Sequence, residues 1–199
     1  MTREFIRNNY RNFKIMWDDY FSALGISAFN SGNCGMHVNV SLGCFGDAKT
    51  TQDLAIRKLY YIINKHYRVM ARMLYRNLAR TTYCRQMDAS QAKTMDLEHM
   101  SGSHGNCLNY SHYNVGRIEI RLVGGQKNYA SFRNTMETVF FLVDRVKTLS
   151  WKDCDSLEEI FRGCNNYVVD RAQMCVNESV LDDETFRAIK ANSVYTEYL

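Results

Sequence analysis

Two short segments of the sequence, MHVNVSL at residues 36–42 and RIEIRLV at residues 117–123, contain side chains that can do chemistry. Polar and apolar residues alternate in both segments, which predicts two strands that each bury one face. The polar positions are His37, Asn39 and Ser41 in the first segment and Arg117, Glu119 and Arg121 in the second. If both polar faces line one cleft, an imidazole and a carboxylate flanked by guanidinium groups meet there.

Such a combination of side chains is suited to phosphate chemistry. His37 and Glu119 together could bind a hard divalent cation such as Mg²⁺ when phosphate oxygens and water complete the coordination shell. Arginines beside that cation would neutralise charge on a transferring phosphoryl group. A histidine on a strand is also a common hydrogen-bonded packing residue, and RIEIR also fits a solvated face with cross-strand ion pairs. The pattern by itself leaves both interpretations open.

The rest of the chain is mainly helical by its periodicity, with one long irregular segment between the two strands. The sequence predicts one helix or two short ones over residues 3–24, stopped by Gly25, and a long helix from a cap at Thr50 or Thr51 to about Arg80. It further predicts a loop over residues 86–112, a helix from Ser131 to about Leu149, and shorter helices over residues 156–163 and 182–191. Arg72 and Arg76 are interpreted as a solvated face of the long helix.

Length and composition favour one ordinary globular domain over residues 1–199. Charged residues make up 23% and the hydrophobic set 46%, which is typical of a soluble protein. No apolar run is long enough to cross a bilayer, and the first residues lack the apolar core of a signal peptide, so we expect a cytoplasmic protein with no membrane partner. The seven cysteines contain no C-x-x-C pair, which favours free thiols over a cysteine-ligated metal.

The charge balance is mildly basic, with a formal net charge of +4. The basic residues are spread along the predicted helices and form no cluster, so the sequence indicates no nucleic-acid partner. Nucleic-acid binding is therefore kept only as an alternative function, supported by the basic charge balance and the arginine-rich helix.

The motifs also resemble those of a known group of enzymes. SGNCGMHVNVSL resembles the Gly-Met-His-x-x-x-Ser-Leu strand of glutamine synthetases, and GRIEIRLVGGQKNYASFRNTMETVF resembles their Arg-x-Glu-x-Arg strand and the helix after it. The closer resemblance is to the amidoligase family, glutamine-synthetase-like carboxylate–amine ligases of bacteria and phages. Its motifs match Cys34 to Val40, the ARTTYC segment that contains Arg80, Tyr83 and Cys84, and Ile118 to Arg121. Together these motifs span about residues 20 to 150.

The resemblance implies an α+β fold in which the antiparallel sheet of the glutamine-synthetase-like catalytic fold packs with helices. It implies ATP-dependent amide formation through an acyl-phosphate, from a small-molecule or peptide carboxylate and an amine. On this reading His37 and Glu119 are ligands of the Mg²⁺ that bridges the ATP phosphates. Glu119 and Arg121 are catalytic, with Arg121 clamping the phosphoryl group. His37, Ser41, Arg80 and Arg121 contact the nucleotide.

One family feature is missing from the sequence, namely the N-terminal strand with Glu-x-Glu that supplies further carboxylates to the metals. Three explanations are open: the chain is the C-terminal part of a longer or split ligase, a partner chain or homo-oligomer completes the site, or the chain is a degenerate relative that acts as a non-catalytic binding or assembly module. The predicted central loop contains five residues that could replace the missing ligands, although such loop residues commonly have no ligand role. They are Asp88, Asp96, Glu98, His99 and His104.

Overall fold

The computed structural model describes residues 2–25, 36–77, 84–100 and 105–197. These residues combine helices with one small antiparallel sheet, so the chain is α+β in the broad sense. The sheet contains three strands in the order β1-β3-β2, and its strands are β1 (Val38–Ser41), β2 (Leu108–Asn109) and β3 (Arg117–Ile120). The register places Asn39 of β1 and Asn109 of β2 opposite the same residue, Glu119 of β3.

Helices form most of the remaining described structure. The α-helices are α1 (Arg3–Asn8), α2 (Tyr10–Lys14), α3 (Lys49–Lys65), α4 (Tyr67–Met73), α5 (Tyr129–Arg145), α6 (Leu157–Phe161), α7 (Asn166–Asn177) and α8 (Asp183–Ala191). A π-helix spans Ile15–Phe21, and 3₁₀-helices span Leu42–Phe45, Ala89–Lys93, Tyr113–Val115 and Asp153–Asp155. Within the part of the chain that the structure describes, no helix combines the length and the apolar character needed to cross a bilayer.

The two predicted strands and the helix after the second strand are present. The N-terminal helical segment is also confirmed as short consecutive helices that stop at Gly25, whose φ of +63° suits glycine. Helix α5 begins with a capping box in which Asn128 and Ser131 each accept a hydrogen bond from the other's backbone N–H. These elements follow from local sequence signals.

The predicted long helix is wrong in its cap, its continuity and its end. Ala48 is the N-cap of α3, and the Thr51 hydroxyl instead donates to the Ala48 carbonyl at 2.7 Å. His66 separates α3 from α4, and its Nε2 lies 3.0 Å from the Cys154 carbonyl, a contact from a distant segment. Helix α4 ends at Met73, and the predicted end at Arg80 lies outside the described residues.

Helix α7, which we did not predict, accounts for the end of α4. It contains Arg171, a residue only 2% exposed. The Arg171 guanidinium donates to the carbonyls of Arg72 and Met73, at 2.9 Å for Nε and the Met73 carbonyl. Carbonyls at a helix C-terminus lack partners within the helix, so a buried arginine satisfies two of them here. This cap depends on a distant residue and is not visible in the sequence around α4.

The predicted loop over residues 86–112 is partly ordered by contacts with α3. The side chain of Asn64, buried in α3, accepts from the Met87 N–H at 2.7 Å, and its carbonyl accepts from the Gln86 amide at 2.7 Å. The Tyr60 hydroxyl donates to the Asp88 carbonyl at 3.0 Å. These tertiary hydrogen bonds, and not local periodicity, hold the Ala89–Lys93 3₁₀-helix, and the same predicted loop contains strand β2.

Candidate functional site

The sheet brings three of the predicted site residues together around one carboxylate. His37 Nδ1 lies 2.8 Å from Glu119 Oε1, and Arg121 Nη1 donates to Glu119 Oε2 at 3.1 Å. The Asn109 amide donates to the same Oε2 at 2.8 Å. We call these four residues, His37, Asn109, Glu119 and Arg121, the Glu119 cluster. Asn109 was missed in the sequence because a two-residue strand has no measurable alternation.

The strand register explains why these side chains meet. Residues directly opposite each other in an antiparallel pair point to the same face of the sheet. Asn39 and Asn109 therefore lie on either side of Glu119, and His37 continues the same alternation in front of β1. The side chains of Glu119 and Arg121 are only 11% and 12% exposed, whereas that of His37 is 39% exposed. The cluster is buried on its carboxylate side and open on its imidazole side.

Arg76 supports the cluster from behind, and its predicted place on a solvated helix face is wrong. Its Nη2 donates to the carbonyls of Arg121 and Val123 at 2.6 and 2.9 Å. Because α4 ends at Met73, Arg76 lies beyond the helix and turns towards the end of β3. Arg72 stays on α4 and pairs with Glu178 near the surface.

Gly124 makes this support sterically feasible. Its N–H donates to the Leu74 carbonyl at 2.8 Å, and a Cβ at Gly124 would lie only 2.1 Å from the Tyr75 carbonyl oxygen. Any other residue would therefore push apart the two chain segments that bring Arg76 to the end of β3. The Gly124-Gly125 pair was not used in the sequence analysis, although a glycine pair directly after a strand is a signal that could have indicated this close approach.

The protonation states of the cluster follow from its surroundings. Burial alone would raise the pKa of Glu119, but hydrogen bonds from Asn109 and Arg121 and the nearby positive charges more than offset it, so the pKa lies below its ordinary value. The pKa of His37 is lowered, first by burial and then by the charges of Arg121 and Arg76, against the opposing effect of Glu119. At neutral pH Glu119 is thus a carboxylate and His37 a neutral imidazole.

This state fixes the hydrogen bonding of the imidazole. A neutral ring that bonds to a carboxylate through Nδ1 must donate from Nδ1, because the carboxylate only accepts. The lone pair of Nε2 is then available for a cation or a hydrogen-bond donor. A carboxylate behind a histidine in this way is a common support for a metal-binding imidazole.

The donor set fits Mg²⁺ only with help from a ligand. Mg²⁺ prefers oxygen ligands and usually combines one or two carboxylates with water and phosphate oxygens. The cluster offers one imidazole and one carboxylate, and both Glu119 oxygens already accept hydrogen bonds. Among the described residues, a group of three or more candidate ligands occurs only at Asp96, Glu98 and His99. The Glu119 cluster therefore fits a cation that arrives with phosphates better than a permanently bound ion.

The other predicted ligands lie elsewhere or beyond the described residues. Ser41 is exposed at the far end of β1, opposite Arg117, on the same face as Glu119 but not in contact with it. Asp88 accepts from the Ser90 N–H and caps a 3₁₀-helix. Asp96, Glu98 and His99 form an exposed group whose ligand atoms lie within 4.8 Å of one another. Arg80 and His104 are among the residues that the structure does not describe.

A cavity of about 830 Å³ lies beside the cluster, between β1 and α5. His37 belongs both to its wall and to the Glu119 cluster. The α5 wall is mostly apolar and includes Phe132, Met136 and Val139. These three side chains are at most 4% exposed, so they line the cavity and also belong to the hydrophobic core.

The arrangement is suited to binding an anionic group at the edge of an apolar cavity. Arg76 and Arg121 contribute two positive charges and Glu119 one negative charge, while His37 stays neutral with a free Nε2. Comparisons of the chain with protein-family models, with curated proteins and with solved structures found no match.

Proposed function

We propose that the protein is an ATP- and Mg²⁺-dependent carboxylate–amine ligase of the glutamine-synthetase-like amidoligase type. The observation that supports it is that His37 and Arg121 both contact the Glu119 carboxylate beside a cavity. His37 lies far from Glu119 and Arg121 in the sequence. The resemblance of the two strand motifs assigns the same three residues to one site. The proposal includes a cytoplasmic location, where ATP is available and thiols stay reduced, as in the six described free cysteines.

In the proposed reaction an oxygen of the substrate carboxylate attacks the γ-phosphorus of ATP, and the bond between that phosphorus and the β,γ-bridging oxygen breaks to release ADP. An amine then attacks the acyl-phosphate carbon, phosphate leaves, and the nitrogen loses a proton. Bound Mg²⁺ would neutralise charge on the ATP phosphates. His37 Nε2 would hold it while Glu119 orients the imidazole through Nδ1, and Glu119 would become a second ligand once that hydrogen bond opens and the imidazole turns.

The arginines carry the remaining electrostatic work in the proposal. The Nε of Arg121 is buried and has no hydrogen-bond partner among the described residues. The guanidinium can therefore donate further hydrogen bonds besides the one to Glu119. That capacity suits the charge that spreads over phosphoryl oxygens during transfer. Arg76 would keep the end of β3, and with it Arg121, in position. Ser41 and Arg80 stay proposed nucleotide contacts.

A second candidate function is a non-catalytic binding or assembly module with a ligase-like core. It is favoured by the single carboxylate of the Glu119 cluster, whose oxygens are already occupied by His37, Asn109 and Arg121. Two ligands seldom hold Mg²⁺ without more carboxylates or phosphates. A partner chain or a second copy that supplies carboxylates would restore the first function.

Calorimetric titration with ATP, with and without Mg²⁺, tests the shared basis of both candidates. We expect Mg²⁺-dependent binding that weakens about tenfold or more in Glu119→Gln, since losing a carboxylate that orients a metal-binding histidine has effects of this size. Asp96→Asn is the matched control, because it removes the same charge at the exposed acidic group. ADP release with mixed carboxylates and amines then separates a ligase from a binding module.

Two results would overturn the ligase proposal. One is the absence of Mg²⁺-dependent ATP binding together with a Glu119→Gln variant that behaves like the parent. The other is ATP binding without ADP release under every combination of a carboxylate and an amine, which would leave the binding module as the function.

A further inference from the structure

Strand β1 is an edge strand, and half of its backbone groups point away from the sheet. The Leu42 N–H donates to the Gly116 carbonyl at 2.9 Å, which continues the register of Ser41 opposite Arg117. Hydrogen-bonded and non-hydrogen-bonded pairs alternate along an antiparallel ladder. The N–H and C=O groups of Asn39 and Ser41 therefore point away from β3. Within the described ranges no strand pairs with this outer edge.

The outer edge of β1 forms one wall of the 830 Å³ cavity. All six residues from 36 to 41 line it, whichever face their side chains point to, as expected when the strand edge itself is the wall. The opposite wall is a stripe on α5 in which Phe140 is partly exposed, while Phe132, Met136, Val139 and Val143 line the wall at 2–5% exposure. The volume is within the range of about 300–1,000 Å³ that is usual for ligand sites.

These two walls together select an extended peptide as the occupant. An extended backbone can pair with the free N–H and C=O groups of β1 and send alternate side chains towards α5, which is the geometry of strand addition. A lipid chain would cover the apolar stripe but would leave the polar groups of Asn39 and Ser41 without partners, at a cost in free energy. A helix would have no free backbone groups to offer them.

The charges at the two ends of the groove indicate the direction of the peptide. At the His37 end, Arg76 and Arg121 outweigh Glu119 by one positive charge. At the other end, Arg3 and Lys147 are balanced by Glu137 and Asp144, with Arg3 3.2 Å from Glu137 and Lys147 2.8 Å from Asp144. A carboxylate is therefore favoured at the His37 end, which is also the end that leads into the Glu119 cluster.

We propose that the groove between β1 and α5 binds an extended peptide with apolar side chains, antiparallel to β1, with its C-terminal carboxylate at the His37 end of the groove, directed to the Arg121 guanidinium and not to the Nε2 lone pair of His37. The inference rests on the proposed function in one respect: it makes this carboxylate the group that is activated, and so names a peptide as the carboxylate substrate. Peptide binding itself requires neither ATP nor Mg²⁺.

Fluorescence anisotropy without nucleotide or metal tests the proposal. The probe is a pentapeptide of alternating valine and alanine with an N-terminal fluorescein and a free carboxylate. The key variant is Ser41→Pro, which removes one outward N–H; the φ of −63° at Ser41 already suits proline, and edge strands tolerate it. We expect it to weaken binding about five- to tenfold, the value of one lost hydrogen bond at the strong end of the usual range.

Ser41→Ala is the matched control, because it removes the side chain and keeps the N–H, and we expect it to bind like the parent. Amidation of the peptide C-terminus should weaken binding to the parent. Should Ser41→Pro fail to fold, a peptide N-methylated at alternate residues, in both possible phases, tests the same hydrogen bonds on the parent. Equal affinities of methylated and unmethylated peptides would overturn the proposal.

Three other results would also overturn it: no saturable peptide binding, equal weakening by proline and alanine at position 41, or a concentration-dependent dimer that Ser41→Pro abolishes, which would assign the edge to a second copy of the chain. Failure of the proposed function looks different. Peptide binding without Mg²⁺-dependent ATP binding removes the ligase and keeps the peptide site. ADP release with free amino acids but without peptide binding removes the peptide site and keeps the ligase.

Discussion

Among the described residues, two histidine–carboxylate pairs have the same distance between their groups but opposite shifts in the pKa of the histidine. His37 Nδ1 lies 2.8 Å from Glu119, and His99 Nδ1 lies 2.8 Å from Asp96. The pKa of His99 is raised, chiefly by its hydrogen bond with Asp96, because both side chains are exposed and burial hardly opposes that bond. The pKa of His37 is lowered, because burial and two nearby guanidinium groups outweigh Glu119.

This comparison shows that the distance between two groups does not decide their charge state. The His99 pair is formed within a turn, three residues apart, and water surrounds it. The His37 pair is formed by tertiary contacts, and its carboxylate is shared with Asn109 and Arg121. The second environment favours a neutral imidazole beside a carboxylate, which is the form that a metal ligand requires, whereas the first favours the protonated ring.

The largest expected difference between the pairs is in stability. Glu119→Ala leaves the buried Asn109 amide and the Arg121 guanidinium without their acceptor, so we expect the free energy of unfolding to fall by roughly 2–3 kcal/mol. Asp96→Ala removes an exposed carboxylate and should cause no measurable change. Urea denaturation of both variants measures this. Equal effects would mean that the Glu119 cluster is no more ordered than the exposed turn.

A smaller loss of stability is expected when Arg76, which supports the Glu119 cluster, is changed. Arg76→Lys removes the guanidinium that bonds to the carbonyls of Arg121 and Val123, and one ammonium group cannot reproduce that contact. We expect a loss of roughly 1–2 kcal/mol in the free energy of unfolding.

The matched control for Arg76 is Arg72→Lys, which alters a more exposed ion pair with Glu178 and should cost less than about 1 kcal/mol. Urea denaturation again gives the comparison. In NMR spectra the resonances of His37 should shift in Arg76→Lys and stay unchanged in Arg72→Lys. If the two variants lose the same stability, Arg76 has no special role behind the cluster.

The smallest effects are changes in the pH dependence of stability, and they should have opposite signs. His37 has a pKa below the ordinary 6.5 when folded, so the unfolded chain takes up this proton first as pH falls. The parent should therefore lose stability relative to His37→Gln on acidification through about pH 6.5. His99 has a raised pKa, so its contribution is present below 6.5 and is lost as pH rises through the folded pKa.

Relative to His99→Gln, the parent should accordingly gain stability on acidification over the same range. Thermal melts of the parent and both variants at a series of pH values give the slopes, and NMR titration of the two imidazoles checks the assignment. Slopes of the same sign for both histidines would contradict the charge states assigned to the Glu119 cluster.

Much of the framework was predictable because it depends on neighbouring residues. The alternation in MHVNVSL and RIEIRLV predicted β1 and β3 and the faces of His37, Glu119 and Arg121, since side chains on a strand repeat every two residues. The helical period similarly predicted α5, although two residues late at its start, since the Asn128 cap was not recognised in the sequence. Such signals fail when a distant group decides, as His66 and Arg171 show by interrupting and ending the predicted long helix.

By itself, then, the sequence determined that β1 and β3 are strands, that α5 is a helix, and which residues share a face of each of these strands. Only the tertiary structure decided that Glu119 lies between Asn39 and Asn109, that Arg76 turns towards the end of β3, and that the outer edge of β1 faces the apolar side of α5. The physical reason is the distance along the chain between the residues that set each property. Side-chain alternation is set by the geometry of one strand, whereas register, burial and protonation depend on which distant segments pack against it.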